Sequence, residues 1–292
     1  MTRNIFLIVM ILLIASCTSR ELTLDINTPP KMYLNGILPA GASQVNFSYG
    51  WATPLWKNLP AGSGQNISIT VSLNGTAIPM LGDQALIPRK LIAGDKIDVL
   101  LHSSDGITAT AETVIPPKVD VTSAFGEWKE EGELSSVKVA LHFARPISGY
   151  FRLSVRSNWL PEDSKRGNRL EDREILALGN SSFWHPRDRV LSPSENPPVA
   201  LMELANKESL DFEYKDVFIN SSSTEPWFTK HIYVAEIEVQ RLSEEYYHYL
   251  VSYMEANENN SFAAPTNISS NLRGGYGILA SYNSSIIKIN MQ

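Results

Sequence analysis

The side chain with the clearest chemical role in this 292-residue sequence is its only cysteine, Cys17. It follows two small residues, Ala15 and Ser16, at the end of an apolar run that starts at Ile5. The eleven residues of that run would form a helix about 16 Å long, roughly half of the ~30 Å hydrocarbon core of a bilayer. Because the run is too short to span and Arg3 precedes it, the sequence predicts a signal peptide over residues 1–16.

Small residues immediately before a cysteine are typical of a bacterial lipobox, in which the thiol is acylated and cleavage makes the cysteine the new N-terminus. We therefore predict that Cys17 is the lipid attachment site and carries fatty acyl chains such as palmitate. Each buried methylene contributes about 0.8 kcal/mol, so two or more chains anchor a protein stably. The alternative is an ordinary secretory signal with a cysteine nearby by chance. In either case, a single cysteine excludes a disulfide within the chain.

Paired carboxylates are the residues whose spacing comes closest to catalysis. Glu162–Asp163 and Asp172–Glu174 could act as acid and base on a glycosidic bond if the fold held two carboxyls about 5–10 Å apart. Basic residues lie among them, which favours a solvated loop of mixed charge. The histidines are far apart, and no pair has the i, i+4 spacing of a zinc-protease helix. We predict no catalytic residues, no metal site and no cofactor, and keep a carboxylate-dependent hydrolase as an alternative.

Tryptophans offer a binding chemistry instead. Most of them fall in predicted loops, where an indole face can stack on a sugar or anchor a protein partner. The candidate binding aromatics are Trp51, Trp56, Trp159, Trp184 and Trp227. The alternative for any single tryptophan is that it packs against its own domain.

Composition narrows the class of protein. Hydrophobic residues make up 43% of the chain, as expected for a folded protein, and the length suggests two domains. The net charge of −6 argues against a nucleic-acid partner, because binding to phosphates needs a basic surface.

Alternating apolar and polar residues predict a mainly β protein. After a polar tether over residues 17–30, strands are predicted at 45–51 and 67–73, and Asn74-Gly75 suits a tight hairpin turn. A second hairpin is predicted around Asp105-Gly106, and the prolines at 116 and 117 end the region. We therefore predict an N-terminal β-sandwich of immunoglobulin or transthyretin type over residues 31–117.

Residues 118–292 are predicted to form a β-rich domain with one amphipathic helix. Strands at 137–143 and 151–155 flank a predicted turn, and residues 157–225 lack periodicity and are predicted as a loop insertion. Ser243 is the predicted N-cap of a helix near 243–257, whose apolar stripe includes Tyr246, Tyr247, Leu250 and Met254. Two short strands, 278–282 and 286–291, are predicted at the end. The glycines before them are predicted as a turn or bulge, because a dinucleotide loop would open a helix.

Three stretches together resemble a Bacteroidota lipoprotein family, domain of unknown function 4249. They are KMYLNGIL, IAGDKIDVLLHSSDGITATAETVIPP and LSEEYYHYLVSYMEANENNSFAAPTNISSNLRGGYGILASYNSS. The C-terminal residues that carry the resemblance are Tyr246, Tyr249, Pro265, Asn267, Asn271, Gly274, Gly275, Gly277 and Ile278. The resemblance implies an outer-membrane lipoprotein with an N-terminal β-sandwich, often encoded beside TonB-dependent receptors, and it assigns no catalytic residue.

From these signals we predict an exported, lipid-anchored lipoprotein on the periplasmic or cell-surface face of the outer membrane. We expect a non-catalytic binding or accessory subunit that partners a TonB-dependent receptor in nutrient uptake. The alternative is a stand-alone surface module that binds a glycan or a peptide through the loop tryptophans.

Overall fold

The computed structural model describes residues 31–52, 67–131, 134–161, 170–173, 175–178, 199–216, 231–258 and 267–291. Most of these residues lie in strands. The strands are β1 (Lys31–Pro39), β2 (Gln44–Asn46), β3 (Ser48–Ala52), β4 (Ile67–Leu73), β5 (Thr76–Ile78), β6 (Met80–Leu81), β7 (Gln84–Leu86), β8 (Lys96–Ser103), β9 (Thr108–Val114), β10 (Val121–Glu131), β11 (Leu134–Pro161), β12 (Glu171–Arg173), β13 (Ile175–Leu178), β14 (Val199–Lys215), β15 (His231–Leu242) and β16 (Gly275–Met291). A helix, α1 (Glu244–Glu258), lies between β15 and β16.

The strands form three sheets. A nine-stranded sheet has the order β13-β14-β11-β15-β16-β1-β3, with β10 and β12 also paired to β11. A four-stranded sheet has the order β5-β4-β8-β9, and three short strands form a sheet in the order β2-β7-β6. The prediction of a mainly β protein with one amphipathic helix is confirmed for the part of the chain that the structure describes. The division into two domains stays a prediction.

Both predicted hairpins of the N-terminal region are present. Leu73 pairs with Thr76 across Asn74-Gly75, and β8 pairs with β9 around Asp105-Gly106. The inward positions of these strands are buried because the four-stranded sheet faces the β3-β1-β16 end of the large sheet across a common core, as in a sandwich. This core includes Met32, Leu34, Val71, Ile97, Val99, Leu101 and Ala109, together with Leu272 and Leu279 from the end of the chain.

β16 pairs with strands from both halves of the sequence. Its first part runs parallel to β1, from Met32 opposite Gly275 to Pro39 opposite Tyr282. Its second part runs antiparallel to β15, from Leu242 opposite Tyr282 to Tyr233 opposite Met291. A cut at residue 117 would therefore leave the N-terminal core without two of its buried leucines.

The polar residues in the middle of β16 explain why the prediction of two short terminal strands was wrong. A single 17-residue strand runs through them, because their side chains donate hydrogen bonds to backbone carbonyls of the segment 114–119. The bonds are Ser281 Oγ to Val114 O (2.8 Å), Asn283 Nδ2 to Pro116 O (3.0 Å) and Ser285 Oγ to Val119 O (2.5 Å). These residues resemble a turn in the sequence. In the fold, their side chains supply hydrogen-bond donors to the backbone carbonyls of the segment that connects the two predicted domains.

The predicted turn between 143 and 151 was also wrong. β11 is one strand of 28 residues, and its pairing with β14 shifts register between His142 and Ile147 and again between Ile147 and Gly149. Opposite this irregularity, the backbone N–H of Asn206 donates to Ser148 Oγ at 2.8 Å. Proline and glycine mark β-bulges as well as hairpins, so the sequence pattern alone did not separate the two.

The predicted loop insertion at 157–225 contains strands, and the largest of them is β14. The first four residues of β14, 199–202, are all buried. Ala200 and Met202 lie in the main C-terminal core, and Leu201 lies in the core below α1. A strand that is covered on both faces loses its period-two pattern. That is the physical reason why the start of β14 was not predicted.

The helix lies where it was predicted and packs on β16. Tyr246, Tyr247, Val251 and Met254 are buried, whereas Leu250 is only partly buried, so the apolar stripe is rotated slightly from the predicted one. The Tyr247 ring stacks on Tyr150 of β11 at 4.7 Å. Ser243 directly precedes the helix, and its hydroxyl accepts the Ser281 N–H at 3.2 Å, which ties the helix start to β16.

Gly274 lies in a turn just before β16, as predicted, and Gly277 within β16 makes a close contact with β1. Gly274 has a φ of +86°. Gly277 has a φ of +116°, and a Cβ at this position would overlap the carbonyl oxygen of Leu34 in β1. Asn271 holds the same segment, because its amide donates to Leu279 O at 2.8 Å and accepts the Leu279 N–H at 2.9 Å.

We expect Gly277→Ala to lower the free energy of unfolding by about 3 kcal/mol or more, because it adds a backbone clash to a strained φ. Gly41→Ala is the matched control, since Gly41 has a φ of +85° with open space around it and should lose only about 1 kcal/mol. Urea denaturation of both variants measures the difference. Equal losses would show that the contact with β1 is unimportant.

Candidate functional site

The predicted site residues lie mostly outside the described residues, as Cys17, Trp56, Trp184 and Trp227 all do. Trp159 is placed by its backbone, which pairs with Tyr233 near the end of β11. Trp51 lies in β3, half-buried against the N-terminal core, and its indole N–H has no partner among the residues described. The binding role of the candidate tryptophans therefore stays a prediction.

The carboxylates of the hydrolase alternative are only partly placed. Glu162, Asp163 and Glu174 lie outside the described residues, and Asp172 is exposed in β12. Asp172 lines a cavity of about 650 Å³ together with Arg156, Leu170, Glu171 and Glu236. Glu236 is occupied by ion pairs with Arg156 and Lys288, both at 3.0 Å. This cavity is a charged surface in which opposite charges already neutralise each other.

A larger cleft of about 710 Å³ lies on the outer face of the four-stranded sheet. Its floor consists of two rows of side chains that run across β4, β8 and β9. The rows are Thr70, Leu100 and Thr110, and then Ser72, Asp98 and Glu112. These are the outward positions of strands whose inward positions fill the N-terminal core, so the ladder itself positions the floor.

One wall of the cleft comes from the end of the chain. Residues 270–273 lie along β9, where Thr110 and Arg273 exchange two backbone hydrogen bonds of 3.0 and 2.8 Å. Glu245 of α1 also lines the cleft and accepts a hydrogen bond from the Thr113 hydroxyl. The cleft is therefore built from the N-terminal sheet, the helix and the segment before β16.

The charges around the cleft are arranged in pairs. Lys96 contacts Asp98 at 3.2 Å and Glu112 at 2.7 Å. Its ammonium lowers the pKa of Glu112, and Arg273 lowers it further, so this carboxylate is ionised at neutral pH. The Arg273 side chain has no hydrogen bond or ion pair among the described residues and is exposed. Carboxylate acceptors and a guanidinium donor are thus both available in the cleft.

Asp95 positions the start of β8, from which Lys96 and Asp98 project. Its buried carboxylate accepts two hydrogen bonds from Arg89, at 2.5 and 2.7 Å, and one from the Ile92 N–H at 2.8 Å. Asn74 donates to the same carboxylate and accepts the Lys96 N–H at 2.8 Å. The Arg89 hydrogen bonds are the main reason why the pKa of Asp95 is lowered to about 2.

A second cluster of polar groups is buried in the C-terminal core. Asp216 is fully buried and accepts hydrogen bonds from Ser157 and from the Tyr233 hydroxyl at 2.5 Å. Arg173 Nε forms an ion pair with the same carboxylate at 3.2 Å and donates a hydrogen bond to Ser157 Oγ at 2.7 Å. Burial raises the pKa of the hydroxyls of Tyr233 and of Tyr214, which lie 2.7 Å apart, so both stay protonated. The sequence analysis missed this cluster because its members are distant along the chain and meet only when β11, β14 and β15 pair. Its closed hydrogen bonding indicates a structural role.

No group of three or more histidine, cysteine, aspartate or glutamate residues that could hold a metal ion occurs in the described ranges. Within those same ranges, no helix has the length and apolar composition needed to cross a membrane.

Residues 19–287 match the family described as Domain of unknown function (DUF4249). The chain belongs to this family. The match covers nearly the whole sequence, so the resemblance noted at both ends of the chain is confirmed.

No curated protein sequence matches this family member significantly. Among solved structures, it matches the crystal structure of a candidate carbohydrate-binding protein from Bacteroides uniformis with 13% sequence identity. That match covers 88% of this chain and 98% of the other, at a TM-score of 0.19.

Some of the residues on which the family resemblance depends hold the segment that forms one wall of the cleft. Asn271 braces the segment against Leu279 and also donates to Glu112 O at 3.2 Å, while Gly274 and Gly277 allow the turn and the close contact with β1. These residues place Arg273 beside β9. The sequence pattern indicated the turn, but only the pairing of β16 with β1 shows what the turn positions.

We expect Asp95→Asn to lower the free energy of unfolding by about 2 kcal/mol at pH 7. The pKa of Asp95 is about 2 in the folded protein and 3.8 when unperturbed, so its contribution is present above about pH 4. It is lost as pH falls, and the loss caused by the substitution should be about half as large at pH 3. Urea denaturation at both pH values measures this, with the exposed Asp211→Asn as control. A pH-independent loss would contradict the assignment.

We expect Arg173→Met to lower the free energy of unfolding by about 3 kcal/mol, because it leaves the Asp216 carboxylate buried without its cation. Arg156→Met removes a similar side chain from the more exposed pair with Glu236 and should lose about 1 kcal/mol or less. Thermal or urea denaturation compares the two variants. A similar loss in both would mean that burial of the carboxylate is not decisive.

Proposed function

We propose that this protein is a non-catalytic binding subunit that is anchored to the outer membrane through lipid on Cys17 and serves a TonB-dependent receptor in nutrient uptake. The cleft on the four-stranded sheet is its proposed ligand site. The single observation that carries the binding role is that this cleft combines carboxylates and hydroxyls with the Arg273 guanidinium, which has no ion pair within the described part of the chain. Small-molecule sites commonly have this volume and a few convergent polar groups.

Membrane attachment is supported by the signal and lipobox pattern around Cys17. Residues 17–30 would span at most about 50 Å when fully extended, which is enough to hold the folded part clear of a bilayer. The partnership with a TonB-dependent receptor is supported by the family resemblance. The non-catalytic role is supported by the missing catalytic spacing in the sequence.

The alternative is a stand-alone surface module that binds a glycan or a peptide. The observation that favours it is that the four-stranded sheet, α1 and the segment before β16 together form the floor and walls of the cleft. A site of this kind needs no partner to be complete. The hydrolase alternative has no comparable support, because Asp172 is the one carboxylate of its two candidate pairs that the structure describes, and it is exposed in β12.

Copurification from crosslinked outer membranes tests the anchor and the partner together. The wild-type chain should recover a large β-barrel receptor, and Cys17→Ala should lose both membrane fractionation and that receptor, because the acylated thiol is removed. Ser16→Ala is the matched control, since it keeps a small residue before the cysteine and should behave like the wild type. Recovery of the wild-type chain only as a monomer, in several mild detergents, would favour the stand-alone module.

A further inference from the structure

The chemistry of the cleft restricts the ligand that it can take. Its carboxylates Asp98, Glu112 and Glu245 outnumber Arg273 and the adjacent Lys96 by one negative charge. A strongly anionic ligand would therefore meet repulsion on three sides. A cation would meet two positive side chains, and no metal-binding group is present among the described residues.

A peptide added as an extra strand is also disfavoured. β9 is the edge of the four-stranded sheet beside the cleft, and an incoming strand would need its free backbone groups. At Thr110 these groups are already occupied by the two hydrogen bonds to Arg273. The wall of the cleft thus covers the edge that a peptide would use.

The floor is amphipathic in a way that suits a sugar. Leu100 lies in the middle of its row with 39% of its surface exposed, between the hydroxyl side chains of Thr70 and Thr110. Charged acceptors and one charged donor surround this apolar centre. A sugar ring has an apolar carbon face and a rim of hydroxyls, each of which can donate and accept a hydrogen bond.

We propose, on the basis of the binding role proposed above, that the cleft binds a neutral saccharide. Leu100 contacts the carbon face of the sugar, and Glu112 and Arg273 hydrogen-bond its hydroxyl groups. Of two neighbouring hydroxyl groups on the sugar, one can donate a hydrogen bond to the Glu112 carboxylate while the other accepts one from the Arg273 guanidinium. Hydrogen bonds to charged groups are the stronger ones, which makes these two residues the main source of affinity.

Calorimetric titration of the full-length chain in detergent micelles tests this proposal. The probes are neutral monosaccharides and disaccharides of glucose, galactose, mannose and xylose, with glucuronate and trialanine as charged and peptide comparisons. At least one neutral saccharide should bind, and Glu112→Gln and Arg273→Gln should each weaken it tenfold or more. Glu208→Gln, an exposed carboxylate on β14, is the matched control and should change binding less than twofold. Circular dichroism should show that all three variants stay folded, because the changed side chains are exposed.

The outcomes separate this proposal from the proposed function. The ligand class is wrong if no neutral saccharide binds at tens of millimolar, or if the affinity is unchanged in both cleft variants. This conclusion holds even where the receptor still copurifies. If trialanine or glucuronate binds more tightly and depends on Glu112, the saccharide is likewise excluded. If a neutral saccharide binds through Glu112 and Arg273 while no receptor copurifies, the ligand class stands and the partnership fails.

Discussion

The close approach of β16 to β1 is the contact on which the rest of this structure depends. The backbone of Gly277 lies against the Leu34 carbonyl, where no larger residue fits, and the two strands then pair in parallel as far as Tyr282. This places Leu272 and Leu279 in the N-terminal core and sets the platform on which α1 packs. Because β16 continues into the ladder with β15, one strand connects the two halves of the chain through its backbone.

The polar cleft is a consequence of the same contact. Its floor is the outward face of β4, β8 and β9, and those residues contribute little to the core below them. Its wall exists only because Asn271 and the neighbouring glycines hold the segment before β16 against β9. Side chains on the floor can therefore vary without loss of the fold, which is the usual relation between a binding surface and its scaffold.

The acidic residues of this protein divide into two groups with different roles. Asp95 and Asp216 are buried, and each accepts hydrogen bonds and forms an ion pair with an arginine, so they stabilise strand ends. Asp98 and Glu112 are more exposed and share Lys96, an interaction that contributes little to stability in water. Such carboxylates can exchange a lysine or a water molecule for a ligand at small cost. The structure thus separates the carboxylates that hold the fold from those that are available for binding.

Local patterns in the sequence determined the β class, both N-terminal hairpins, the helix and the turn at Gly274, because these depend on neighbouring residues and on the period of burial. The same patterns failed at β11, at β14 and in the middle of β16. In β11, proline and glycine form a bulge. At the start of β14 both faces of the strand are buried, and in β16 polar side chains donate hydrogen bonds to a backbone segment that is distant in sequence. The candidate site likewise could not be predicted from the sequence, because Glu112 and Arg273 are far apart along the chain. Only the tertiary structure brings them together, because the pairing of the last strand with the first lays residues 270–273 along β9.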